Sequence, residues 1–557
     1  INIDKDLHVR NKTNFQIGAV TVTVGNLFRF LEIESNASVT LNDNNSVLNV
    51  DSKLNSSGAI IFNAEANLNL TGSTNAIETL TTNNFGTITY KSSAQPQTIS
   101  QPTSGNFNNL IFDQNQTKTA SESLVVDGDF TISNSATFAD GGFNHNIAGD
   151  WNDAGGTFVG TGTIILDGDA QNINSTVANS FLNFETQGSG DKIAQSNLNV
   201  TGTFTVTSGT FKTGAFETEV TGNTVVSSTL DIDDANGIFD ANGEFDANGG
   251  NVTFTGNGNL EFGGIVTDLG TFNCGTGTVK YDLAGAQNII DPGVPYYNLS
   301  LIGVTKTAAD GTALDVDGDF VLDGCTFNPG NNDHNLAGNW TETNSAIFDP
   351  SEGTITFSGA NSNEIITTLT NLTTSGATLG DDNSFYRLVI DANDITTASE
   401  IEVDNETTIN NLNSNYIYVA FAGTTTRFNA RDAADVAAFN TVKAGLDAYP
   451  TNRKNFRTSM RQAIVTSGLT AHQKVYLLTE GSDEGALESG PFALRGYYPL
   501  FDTEAVADDV STNGQSHEHD IDGVTYYMPD AGQTIYHGNY AVETPTQDLS
   551  LIHISEP

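Results

Sequence analysis

The chain has 557 residues and carries 21 Lys+Arg against 67 Asp+Glu, a formal net charge of −46, although only 16% of its residues are charged. So deep a deficit of basic side chains excludes nucleic-acid binding, which rests on Lys and Arg neutralising phosphates, and no apolar run reaches the roughly 18 residues of a transmembrane helix. Two distant cysteines, Cys274 and Cys325, build no disulfide framework, and 55 glycines beside abundant Asn and Thr point to turns and short strands rather than to the helices of an ordinary enzyme.

In chain order, Ile1 opens inside a strand-like pattern with no leader, so the natural N-terminus is expected upstream. Residues 1–81 read as degenerate coils of the pattern that follows, and 82–419 as its repeats. One phrase, Gly-Thr-(Ile/Val)-x-(Tyr/Leu/Phe) followed by (Gln/Asn)-x-Ile, begins at Gly86, Gly162, Gly277 and Gly353, with gaps of 76, 115 and 76 residues. The first and third copies lie 191 residues apart, as do the second and fourth. A 191-residue super-repeat therefore holds two related halves and an insertion. Val126-Asp127-Gly128-Asp129-Phe130 returns as Val316-Asp317-Gly318-Asp319-Phe320, and Asn109-Leu110-Ile111-Phe112 as Asn298-Leu299-Ser300-Leu301. His145-Asn146-Ile147-Ala148-Gly149-Asp150-Trp151 returns as His334-Asn335-Leu336-Ala337-Gly338-Asn339-Trp340.

Inside each unit, runs such as Thr163-Ile164-Ile165-Leu166 alternate apolar and polar residues between Gly, Asn and Asp, the pattern of half-buried strands. A string of β-sandwiches or a parallel β-helix would both suit such density. The abutting repeats and the short 76-residue half favour a right-handed parallel β-helix (β-solenoid), with three or four coils of roughly 20–25 residues per half. At about 4.8 Å per coil, such a chain predicts a rod on the order of 80–95 Å long. Asp234-Ala-Asn-Gly237, Asp240-Ala-Asn-Gly243 and Asp246-Ala-Asn-Gly249 form an insert at 231–249 with a six-residue period, expected as a loop on one face.

The composition changes near Phe421. Residues 420–480 read as a helical segment, with helices expected from Asp432 to near Pro450 and from Arg453 to about Val465. Residues 481–548 form a small His/Tyr-rich β module, and 549–557 match nothing upstream and read as a non-native tail.

The Gly-Thr-x-x-Phe, Gln-x-Ile, Asn-Leu-x-Ile and Gly-Asp-Trp phrases resemble the Asn/Thr/Gly-rich β-helix repeats of bacterial surface and adhesin-like proteins, over roughly 82–410. Residues of about 490–545, including Gly496-Tyr497-Tyr498-Pro499, Ser516-His517-Glu518-His519-Asp520 and Tyr536-His537-Gly538, resemble a module of tail-fibre and structural proteins of aquatic bacteriophages. That resemblance implies a small β-rich fold near the end of a fibre.

His517 and His519 are the sharpest metal candidates, because residues i and i+2 of a strand face one side. His537 is a third possible ligand. The phage-fibre resemblance implies an axial iron shared by three chains, hence a homo-trimer, although this pair stands alone rather than in a row. The alternative is a solvated turn beside Glu518 and Asp520. The acidic run from Asp231 is a weak Ca²⁺ candidate, but the twelfth position is Asn242 rather than Glu, and a ladder of Asx turns explains it better. Recurrence of His145 and His334, Trp151 and Trp340, and the Asp127/Asp129 and Asp317/Asp319 pairs at one register favours packing and turn chemistry over catalysis. No nucleophile motif, Walker loop, dinucleotide fingerprint or His-Glu-x-x-His is present.

These readings predict a non-catalytic, elongated structural or adhesive fibre protein, extracellular on a virion or bacterial surface, whose partner is a host glycan or protein receptor. A bacteriophage tail-fibre or virion surface protein is the first expectation and a secreted bacterial adhesin the second. A β-helix polysaccharide lyase or hydrolase is the third. It is disfavoured because Arg387 is the one arginine between Arg29 and Arg427, leaving few cations to grip an acidic glycan.

Overall fold

A computed structural model describes residues 1–3, 6–24, 30–176, 178–349, 351–359, 385–389 and 391 in full, and short strands further on by their backbone. Over residues 2–357 the chain is a parallel β-solenoid of about 17 turns. It divides into two compact units, Ile1–Val279 and Lys280 onward.

In the first unit one face is a 14-stranded parallel sheet running from Asn2–Ile3 to Thr271–Asn273. A second face is an eight-stranded sheet from Val125–Val126 to Val266–Asp268. The third side carries a four-stranded sheet from Gln97–Ile99 to Thr157–Val159, and a new sheet takes it over at Ser180–Phe181. Where the ladder changes hands, the Asn179 side chain replaces a strand: its Oδ1 accepts from Phe158 N at 3.1 Å, and its Nδ2 donates to Asp153 O at 3.3 Å and Gly156 O at 3.2 Å. The second unit winds the same way, through Gln287–Asn288, Thr305–Thr307 and Thr326–Asn328 on one side and Asp315–Val316, Asp333–Leu336 and Thr354–Phe357 on another.

Period-two alternation sets which side chains enter. In Thr163–Leu166, Ile164 and Leu166 are buried while Thr163 and Ile165 face outward. Inside, aromatic rings stack coil upon coil: Phe112 to Phe130 at 5.1 Å, Phe130 to Trp151 at 4.8 Å and Trp151 to Phe181 at 5.5 Å between centroids. Left-handed corners fall on asparagine where no glycine is available, as at Asn36, Asn83, Asn134 and Asn344. Cys274 and Cys325 are buried thiols that are not joined in a disulfide.

The structure corrects the expectation for 231–249. The three Asp-Ala-Asn-Gly phrases form no loop; they run through three successive corners of the winding, among strands Thr229–Asp231, Ile238–Ala241, Phe245–Asp246 and Asn251–Thr253, with Asp240, Ala241 and Asp246 still on the strands that lead into their corners. The six-residue period is one short side plus one corner. Asx turns close two of the corners, with Asn236 N on Asp234 Oδ1 at 2.8 Å and Asn248 N on Asp246 Oδ1 at 2.9 Å. The three carboxylates thus point to different edges of one coil. Among the described residues no cluster of His, Cys, Asp and Glu is placed to hold a metal ion.

The register also explains the 76-residue gap. Thr87 pairs with Asn109, Leu110 with Phe130 and Phe130 with Trp151, so one coil is 20 to 22 residues. The first phrase copy, Thr87–Tyr90, lies on the 14-stranded face, and the second, Thr163–Leu166, on the eight-stranded face. They are three coils and two sides apart, so the repeated phrase changes face.

The expected helices near 432–450 and 453–465 lie outside the described residues. Strands Tyr416–Phe421 and Thr424–Asn429 pair antiparallel at the start of that segment. No described helix is long and apolar enough to cross a membrane.

Candidate functional site

The repeat phrases turn out to place polar side chains inside the corners. Gln97 opens the first Gln-x-Ile phrase and is buried. Its Oε1 accepts from Ser92 N at 3.0 Å, and its Nε2 donates to Leu70 O at 3.0 Å and Gly72 O at 2.8 Å, joining two coils. Gln171 repeats this, accepting from Gly168 N at 2.9 Å and donating to Ile147 O at 2.9 Å. A lysine occupies the paired position one coil later each time: Lys118 beside Gln97, Lys192 beside Gln171 and Lys306 beside Gln287.

All three lysines are buried. The Lys118 ammonium donates to the carbonyls of Asp113, Gln114 (2.9 Å) and Gln116 (3.1 Å). Lys192 donates to Gly168 O at 2.6 Å, with Asp169 O and Gly190 O at 3.2 Å. Burial pushes the Lys118 ammonium down to about 8, partly offset by the Asp113 carboxylate. These cations cap turns and are not available to a ligand. Lys118→Met keeps the volume but strands the carbonyls. We expect it to destabilise the chain by about 2–3 kcal/mol, read as a lower urea midpoint in far-UV circular dichroism; an unchanged midpoint would show the cap to be idle.

His145 and His334 are the same kind of device. His145 Nδ1 accepts from Leu124 N at 3.0 Å and its Nε2 donates to Asp140 O at 3.0 Å. His334 Nδ1 accepts from Leu314 N at 3.0 Å and its Nε2 donates to Pro329 O at 2.9 Å. Both nitrogens are engaged, one tautomer is fixed, and burial lowers both imidazoles below their ordinary pKa. Neither has a nitrogen left for a metal or a substrate.

Behind each repeated tryptophan lies a buried acid that the sequence reading passed over. Glu342 Oε1 accepts from Trp340 Nε1 at 2.8 Å, and burial pushes its carboxyl up to about 7. Asp153, equivalent beside Trp151, is pushed up to about 6 by burial, and Ser175, Asn179 and Trp151 around it hold that rise back in part. Neither Asp153 oxygen meets a donor at full hydrogen-bond geometry.

Outside the core, a shallow groove of about 410 Å³ opens on the 14-stranded face. Its walls come from four consecutive coils: Asp129 and Thr131, Asp150 and Asn152, Asn172 and Asn174, then Gln195. Cross-coil hydrogen bonds fix them. Asp129 Oδ1 accepts from Asp150 N at 2.9 Å, and Asp150 Oδ1 from Asn172 N at 2.7 Å. Asn174 Nδ2 donates to Asn152 Oδ1 at 3.3 Å and Gln195 Nε2 to Asn172 Oδ1 at 3.2 Å. Asp129 therefore has the turn role read from its recurrence, since Asp129 N also donates to Asn109 Oδ1 at 2.9 Å. Its place in a groove wall was not visible, because its partners Asn109 and Asp150 are 20 and 21 residues away.

The metal candidates fall on strands described by their backbone. Strand Ser516–Ile521 pairs antiparallel with Val524–Pro529, placing His517 and His519 two positions apart on one strand, and His537 ends strand Ile535–His537. Their side chains lie outside the described residues. No protein-family model matches the chain, and no curated protein and no solved structure matches it either.

Proposed function

We propose that the chain is a non-catalytic structural and adhesive fibre protein, displayed outside the cell as a bacteriophage tail-fibre or virion surface protein that mediates attachment. Right-handed winding belongs to the same reading, following the general handedness of parallel crossovers. The observation that carries it is the use made of polar side chains. The buried lysines and histidines bind backbone at corners, and the groove acids Asp129 and Asp150 each bind the backbone of the next coil. A glycosidase needs a proton-donating and a nucleophilic carboxyl facing each other across the sugar. Asp129 and Asp150 instead stand one above the other on a single edge. Fourteen strands stacked on one face of the first unit give a surface roughly 60 Å long at the usual strand spacing, suited to repeated weak contacts.

The test is direct. The purified chain should bind bacterial cells from its own environment and release no reducing or unsaturated sugar from a panel of polysaccharides. Turnover of any of them would replace the attachment reading with the lyase or hydrolase one. Genes for secretion or wall anchoring beside this one, instead of capsid and tail genes, would favour the bacterial adhesin.

A further inference from the structure

We propose that the groove between Asp129 and Gln195 is a binding site for an uncharged oligosaccharide, an inference that deepens the attachment reading and rests on it. Three properties of the walls carry it. First, the groove has length and register: its residues come from four coils, which span about 14 Å at the strand spacing, enough for a short linear glycan lying along the stack.

Second, the walls offer donors and acceptors together. The cross-coil bonds engage both ends of Asn172 but one end of each of the Asn152, Asn174 and Gln195 amides. They leave Asn152 Nδ2 as a donor and Asn174 Oδ1, Gln195 Oε1 and the second oxygen of Asp129 as acceptors. A sugar hydroxyl both donates and accepts, and vicinal hydroxyls match an amide or carboxylate edge. The ladder holds these groups before any ligand arrives, which reduces the ordering cost of binding.

Third, charge selects. No Lys or Arg lines the groove, and Asp129 and Asp150 do, so sulfated or uronate-bearing glycans are repelled. The tryptophan beneath, Trp151, is fully buried and offers no stacking face. Single-site affinity is therefore low. The second unit repeats one element of the motif, with Asn339 N and Nδ2 on Asp319 Oδ1 at 3.2 and 2.9 Å.

The experiment uses the full chain against an array of short neutral oligosaccharides of gluco, manno and galacto configuration, their sulfated and uronate counterparts, and spermidine as a cation. Neutral members should bind. Asn174→Trp, which fills the groove, should weaken binding at least tenfold, and Asp129→Asn, which keeps the bond to Asp150 N, should weaken it severalfold. Thr253→Trp, further along the same face, should leave it unchanged. Preference for sulfated glycans or spermidine, or full binding by Asn174→Trp, overturns the inference. Cell binding is measured in parallel. Cells bound equally by wild type and Asn174→Trp, with no oligosaccharide bound, would sink the groove and leave attachment standing; saccharides bound at the groove without cell binding would do the reverse.

Discussion

Gly222→Val unfolds the coils around it. A Cβ at Gly222 would lie 2.2 Å from the carbonyl oxygen of Gly202, one coil earlier. The same contact recurs upward: Gly243 would meet Gly222 O at 2.2 Å, and Gly264 would meet Gly243 O at 1.7 Å. The obstacle is backbone, not a side chain that can swing away. That backbone is pinned on both sides, by Thr221 N on Val200 O at 2.8 Å and Asn242 N on Val220 O at 2.8 Å. Admitting a side chain means parting the ladder at a corner where the coils touch. Overpacking a yielding core costs about 1–3 kcal/mol, and an unyielding backbone should exceed that range. The urea midpoint by far-UV circular dichroism should fall sharply. Gly18→Ala is the control, since nothing lies within 4 Å of its Cβ position; its midpoint should match wild type. A Gly222→Val chain that unfolds with wild type would refute the close-packed glycine column.

Glu342→Gln flattens one limb of the stability–pH profile. Burial raises the Glu342 carboxyl from 4.5 to about 7, so the folded chain holds a proton that the unfolded chain releases earlier. Stability from this group is complete below pH 4.5 and is lost as pH rises through about 7. The shift corresponds to about 3 kcal/mol. Gln keeps the acceptor for Trp340 Nε1 and cannot ionise, so that descent should disappear. Asp153, raised from 3.8 to about 6, acts in the same direction. His145 and His334 oppose it: both lie below the ordinary 6.5, so their contribution is present above 6.5 and is lost as pH falls. The carboxyls weaken the fold toward alkali and the imidazoles toward acid, so the two sets of groups oppose each other over overlapping pH ranges. Thermal midpoints of wild type and Glu342→Gln from pH 4 to 8 decide it; parallel curves would mean that folding leaves the carboxyl's proton affinity unchanged.

The solenoid was legible because its signals are local. Alternation in Thr163–Leu166 fixes which side chains enter, and Gly, Asn and Asp mark the corners. Recurrence of Trp151 as Trp340 and of His145 as His334 marked them as architecture, and the structure finds all four buried. What remained hidden needs the coil length to within one residue. The pairing of Gln97 with Lys118 is invisible until the register is known, although Thr117-Lys118-Thr119 and Thr305-Lys306-Thr307 carried a trace of it. The groove is harder still, since Asp129, Asn152, Asn174 and Gln195 share no phrase and meet only through stacking. The Asp-Ala-Asn-Gly insert misled for the opposite reason: its period was read as foreign to the repeat, when it is the side-and-corner rhythm of the solenoid.

The 20- to 22-residue coil and the 76-residue unit differ in what they allow a lineage to do. Gain or loss of one coil lengthens or shortens the stack and leaves every later strand on its own face. Gain of one 76-residue unit turns everything beyond it by two sides of the triangle, so a ligand-bearing edge that faced one direction comes to face another. Only after three such gains, about eleven whole coils, does the original facing return. Duplication in this chain is therefore a steering event as well as a lengthening one, and relatives that differ by a coil should keep their binding edge while relatives that differ by a unit should present it elsewhere.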